Sequence, residues 1–149
     1  DWCYDYNVAS TDSGGSQYYG AYKRIFTDKS PSLKCTGTKL NKYKDNTDMY
    51  VGTLTADEIS FAGGTASTNY THYLMNNYVK SNPLNWWALS PSDWGGTVGF
   101  DSAFSVEGNG KFGGGGVIGN ESARPTVTLA SSAQITGGDG TISNPYIIS

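Results

Sequence analysis

Apolar residues recur along this chain at changing intervals, and the changes divide it into elements. Trp2, Tyr4, Tyr6 and Val8 alternate with polar neighbours, which predicts a strand over residues 1–8. A polar loop follows from Ser10 to Ser16. Tyr18, Tyr19, Ala21, Tyr22, Ile25 and Phe26 then return at helical spacing, so a helix is expected from Ser16 to about Thr27. It should end before Ser30-Pro31, because the residue preceding proline avoids helical angles. Leu33 to Asp48 is mostly Lys, Thr, Asn and Asp, a solvated connection.

Met49 to Leu54 reads as a strand running into Thr55-Ala56-Asp57-Glu58, which fits a capping box: Thr55 accepts from the Glu58 amide and Glu58 reaches back. Ile59, Phe61 and Ala62 would give this short helix its buried side, and Gly63-Gly64 would end it. Asp57 and Glu58 could form an acid pair, but capping and the positive first turn explain both. Thr65 to Asn85, with Tyr70, Tyr73, Leu74, Tyr78 and Val79, suits either a short helix or an irregular aromatic layer. His72 has no second ligand at metal spacing and is assigned no chemistry.

Asn85 to Ser90 predicts a strand with Trp86 and Trp87 on opposite faces, stopped by Pro91. Alternation from Ser102 to Glu107 turns Phe104 and Val106 inward, and Gly108-Asn109-Gly110 supplies a tight reversal. Thr126 to Leu129 reads as a strand with Val127 and Leu129 packed. Ile135, a turn at Gly137 to Gly140, and Tyr146-Ile147-Ile148 complete the chain as an edge strand or a C-terminal clamp over residues 130–149. Between Trp86 and Leu129 the chain is rich in Gly, Ser, Asp and Asn, and Gly113 to Gly116 cannot fill a core. The expectation is that apolar brackets are buried and the interval is displayed as a contact surface.

The 149 residues suggest one domain, with residues 1–15 an N-terminal strand and loop and residues 86–129 the ligand-binding half. A net charge of -3 with ten Lys and Arg argues against nucleic acid, whose binding rests on phosphate neutralisation. No apolar run approaches the roughly 20 residues needed to span a bilayer, so membrane insertion by this chain is not expected. No signal peptide precedes Asp1, which reads as a mature or trimmed product. Cys3 and Cys35 are either a disulfide or two buried thiols. Low charge, abundant Tyr, Gly, Ser and Thr, and no catalytic partner for a thiol favour the disulfide and an extracellular setting.

The order of a tyrosine-rich helix, Val51 to Glu58 with Phe61-Ala62-Gly63-Gly64, Trp86-Trp87-Ala88-Leu89-Ser90-Pro91 and Ala123-Arg124-Pro125 resembles bacterial and phage C-type-lectin-like domains. It is most similar to the formylglycine-generating-enzyme branch, used as variable proteins by diversity-generating retroelements. Ile135-Thr136-Gly137-Gly138-Asp139-Gly140-Thr141 with Asn144-Pro145-Tyr146-Ile147 looks like the end of secreted or pilin-like proteins of gut Firmicutes. The resemblance implies an α+β, C-type-lectin-like fold, with two helices on a small twisted antiparallel sheet and long Gly-rich loops. It also implies a hypervariable ligand-binding face, which falls on Ser92 to Ser122. The calcium-binding Pro motifs of that family are missing, since the prolines occur as Asn82-Pro83, Ser90-Pro91 and Arg124-Pro125. Cys3 and Cys35 lie outside the matching region and do not supply the oxidising enzyme's cysteine pair.

The leading expectation is therefore a non-enzymatic adhesion or recognition module on a cell surface or a phage or pilus appendage, binding a protein or glycan on another cell. It needs no metal and no cofactor. Trp94 and Phe112 are the expected anchors, with Asp93, Thr97, Phe100, Asp101, Val117, Ile118 and Asn120 around them. Trp94 and Phe100 serve equally well as core rings, whereas Phe112, set among glycines, is expected to be exposed. The alternative is the head of a pilin or other fibre subunit that self-assembles. An enzyme is not expected, and a glycosidase built on Asp93 and Asp101 has no motif behind it.

Overall fold

A computed structural model describes residues 2–40, 42, 45–67, 74, 84–95, 101–141 and 143–149. The expected aromatic segment around Tyr70, His72, Tyr73, Tyr78 and Val79 lies outside the described residues, as do Thr97 and Phe100. Among those described, 38% are strand and 11% helix. This corrects the α+β, C-type-lectin-like expectation: the chain is a mostly-β small domain with two short helical segments.

The main sheet has five strands in the order β2 (Val8–Thr11), β3 (Gln17–Tyr19), β6 (Trp86–Trp94), β7 (Ser102–Val106) and β8 (Phe112–Gly116), all antiparallel. The N-terminal strand predicted over residues 1–8 is divided between two sheets. β1 (Trp2–Tyr4) pairs instead with β4 (Thr38–Leu40), and a Cys3–Cys35 disulfide closes this small layer. β5 (Val51–Gly52) pairs with β9 (Thr126–Val127), and β10 (Ile135–Gly137) with β11 (Ile147–Ile148) in a ribbon outside the five-stranded sheet.

The helix expected from Ser16 loses its first turn to β3, because Gln17–Tyr19 pair with strands on both sides. What remains is α1 (Gly20–Tyr22) continued by a π-helical turn over Lys23–Thr27. Non-local pairing thus overrides the local helical period. α2 (Ala56–Phe61) begins with the expected capping box, both arms of which are present. It ends in a Schellman motif: Gly64 N–H donates to Ile59 O and Gly63 N–H to Ser60 O, with Gly63 at φ 96°. Ile59 is buried, but Phe61 is exposed, so this helix has a narrower apolar face than its sequence suggests.

β6 does not stop at Pro91. Its register shifts on both sides of Pro91, and such irregularities are where a strand accommodates the missing proline N–H. Phe104 and Val106 face inward as expected, and the β7–β8 hairpin turns through Gly110 at φ 86°. Val127 and Leu129 are exposed rather than packed.

The core lies between the inner face of the main sheet and the two helical segments, and includes Ala21, Ile25, Ile59, Trp86, Phe104 and Phe112. A column of rings runs through it. Tyr18, Tyr22, Phe26, Phe104 and Phe112 follow one another at centroid spacings of 4.5, 4.6, 5.8 and 5.1 Å. Ring pairs at these distances add to the burial they provide.

Candidate functional site

The register of the main sheet brings distant pieces of sequence to one end of it. Tyr18 pairs with Asp93 and Gln17 with Trp94, while Asp93 pairs with Ser102 and Ser102 with Gly116. One step further out, Val117 N–H donates to Asp101 O at 2.9 Å. Gln17 and Trp94, at the ends of β3 and β6, and Asp101 and Val117, one residue beyond β7 and β8, therefore continue the register as a row at the sheet's end. The β2–β3 turn flanks one side of this row, and the Gly116–Gly119 turn, closed by Gly119 N–H on Gly116 O, flanks the other.

Side chains on this end are held from behind. Ser92, fully buried, donates its hydroxyl to Asp93 Oδ1 at 2.7 Å. Room for that pair depends on Gly114, where an added Cβ would lie 2.7 Å from Ser92 Oγ and 3.3 Å from Asp93 Oδ1. Asp12 accepts from the Gly14 and Ser16 amides, both at 2.9 Å, and from the Tyr18 hydroxyl at 2.9 Å. The Ser16 amide above all, and then the Tyr18 hydroxyl, hold the Asp12 carboxyl below its usual range. Burial, and to a lesser extent the charge of Asp93, push the Tyr22 phenol upward.

Of the residues expected from sequence, Asp93, Trp94, Asp101, Val117 and Ile118 gather at this end, with exposed Asn120 just past its last turn. Trp94 is 47% exposed and Ile118 78%. Phe112 is a correction: it is 0% exposed, stacked on Phe104 in the core and paired with Val106 next to the hairpin turn. The glycines that follow it are strand residues, so they do not carry it outward. The interval from Ser92 to Ser122 is accordingly part core and part surface. Tyr18, Tyr22 and the Asp12 turn belong to the same end and were not among the expected site residues. A Gly14-Gly15 pair between two strand-forming stretches was the available signal for a hairpin there.

A separate cleft of about 560 Å³ opens between the disulfide layer and α2, with Trp2, Arg24, Lys34, Lys39, Asp57 and Glu58 among its lining. Arg24 forks across its floor. Nε and Nη2 donate to the two oxygens of Asp57 at 3.0 and 2.7 Å, and Nη1 donates to Asp5 at 2.7 Å. Ser32 N–H adds a bond to Asp57 at 2.7 Å and Thr36 a longer one to Asp5 at 3.4 Å. These hydrogen bonds, with Asp57 first, hold the Arg24 guanidinium above its usual range despite its burial. The groups satisfy one another and tie three parts of the chain together, which is a clamp and not an acid–base pair. Glu58 is taken up by its cap.

Among the described residues no cluster of His, Cys, Asp and Glu is placed to hold a metal, and no helix is long and apolar enough to cross a membrane. No family model matches the chain, and no curated protein and no solved structure is similar enough to count as a match. Nothing in these comparisons identifies a C-type-lectin-like domain. The disulfide is compatible with a protein outside the reducing cytoplasm.

Proposed function

We propose that this chain is an extracellular ligand-binding module, of the adhesion or recognition type, whose contact surface is the end of the five-stranded sheet. The observation that carries the reading is the exposure of Trp94 at the end of β6 and of Val117 and Ile118 in the turn that follows β8, which Val117 N–H on Asp101 O and Gly119 N–H on Gly116 O tie to the sheet. A rigid exposed indole ringed by small and polar residues gives large contact area at low entropic cost. Wild-type protein and a Trp94→Ala/Ile118→Ser variant would be probed on arrays of surface proteins and glycans. The variant should lose the wild-type's array signals while its melting midpoint stays within a few degrees. Unchanged signals would refute the assignment.

A second reading, a fibre subunit, draws on a different feature. The β10–β11 ribbon exposes Ile135, Ile147 and Ile148, and a lone two-stranded ribbon is marginal in water. Concentration-dependent association that Ile135→Ser/Ile148→Ser abolishes would favour it, and a strictly monomeric wild-type protein would end it.

A further inference from the structure

We propose that the sheet end docks a cationic polypeptide segment, one that carries lysine or arginine among apolar residues. This rests on the recognition role above and specifies its partner. Trp94, Val117 and Ile118 form the apolar part of the surface, and Asp101 lies between Trp94 and Val117 in the row. Asp101 is exposed and has no side-chain partner among the described residues. Asp93 belongs to the adjacent row, whose side chains face the other side of the sheet with Tyr18 and Gly114, and Asp12 is taken up by the Gly14 and Ser16 amides and the Tyr18 hydroxyl, so Asp101 is the carboxylate this surface offers.

Among the described residues no positive charge answers Asp101. The described lysines and arginines pair with Asp28, with Asp5 and Asp57, with Asp48 and with Glu107, lie over the rings of Phe26 and Trp86, or line the cleft. Among the described residues, then, no cation neutralises Asp101, and charge complementarity favours one supplied by a partner. An ammonium or guanidinium could lie on the exposed face of Trp94 and meet Asp101 at once. The aliphatic side chains decide between polypeptide and sugar. Val117 and Ile118 give a glycan's hydroxyls no hydrogen-bond partner, whereas they match the methylene stems of Lys and Arg and the apolar residues between them.

The test is selection of short random peptides on wild-type protein, with the recovered peptides then titrated against variants. Recovered sequences should be enriched in Lys and Arg, and their binding should weaken as salt rises. Asp101→Asn should weaken it about two- to fivefold, the range that one exposed ion pair supplies. Asp101 makes no side-chain contact among the described residues, so an unchanged melting midpoint for this variant guards against a folding effect. Trp94→Ala/Val117→Ser/Ile118→Ser should abolish binding with the melting midpoint retained. Recovered peptides without Lys or Arg, or affinity indifferent to salt and to Asp101→Asn, would overturn the cationic partner. If those peptides still required Trp94, the recognition surface itself would stand. A neutral oligosaccharide whose binding needs Trp94 would likewise replace the polypeptide and keep the surface. Peptides that bind the triple variant as well as wild type would overturn both.

Discussion

Removing the Arg24 guanidinium should be among the costlier single truncations in the N-terminal half. Its partners Asp5 and Asp57 are 4% and 5% exposed at the side chain, so Arg24→Ala leaves two carboxylates in the interior without their cation. Breaking a buried ion pair from one side costs about 3–5 kcal/mol. The Ser32 amide and Thr36 hydroxyl remain as donors, which places the expected loss toward the lower end of that range. Small domains hold only about 5–15 kcal/mol in total, so the variant should be partly unfolded at ordinary temperature or melt early. Denaturant titration followed by tryptophan fluorescence, with the disulfide kept intact, reads the change directly. Arg24→Lys should recover part of the loss, since an ammonium cannot fork to both oxygens of Asp57. Arg24→Met with Asp5→Asn and Asp57→Asn should be more stable than Arg24→Ala, because no charge is then left buried and unpaired. The clamp argument fails if Arg24→Ala costs less than about 1 kcal/mol, or if the triple variant is no better than the single one.

The glycines of β8 should respond unequally. Gly114→Ala must displace Ser92 Oγ and its bond to Asp93, costing about 1–3 kcal/mol in thermal or chemical melts, whereas Gly113→Ala meets nothing within 4 Å and should be close to neutral. Acid should spare the β2–β3 turn at first. The Asp12 carboxyl is lowered from its usual 3.8, so its contribution is present above that value and is lost only as pH falls through the lower folded-state value. The midpoint of the acid-induced movement of the Gly14 and Ser16 amide resonances should therefore lie below pH 3.8, and a midpoint above that value would count against the bonds described. Reducing Cys3–Cys35 should cost about 3–4 kcal/mol for a sequence separation of 32, measured as the denaturation difference between oxidised and reduced protein.

How far the sequence announces this structure depends on how local each cause is. The cap at Thr55 and Glu58 and the Gly63-Gly64 stop are legible because donor, acceptor and turn residue lie within one short stretch. The same holds for the β7–β8 hairpin, where alternation and Gly108-Asn109-Gly110 suffice. Gln17–Tyr19 have helical spacing, yet they are extended because β2 and β6 pair with them, and no local pattern encodes those partners. Arg24 reaches Asp5 and Asp57 across separations of 19 and 33 residues, so nothing adjacent to it marks a clamp. Phe112 looks displayed among glycines, but the register sets it on the core side against Phe104, and Gly114 and Gly115 lack side chains where Ser92 and Ser105 occupy the space beside them. Trp94, Asp101 and Val117 stand out by residue type. That they share one row is a property of strand order alone.

The most direct measurement of the central claim is a backbone amide shift map of the protein titrated with a peptide recovered by selection. The account predicts that shifts concentrate on Gln17, Trp94, Asp101, Val117 and Ile118, with little change around Trp2, Lys39 and the β10–β11 ribbon. Shifts centred on the cleft beside Arg24, or on Ile135 and Ile148, would contradict it.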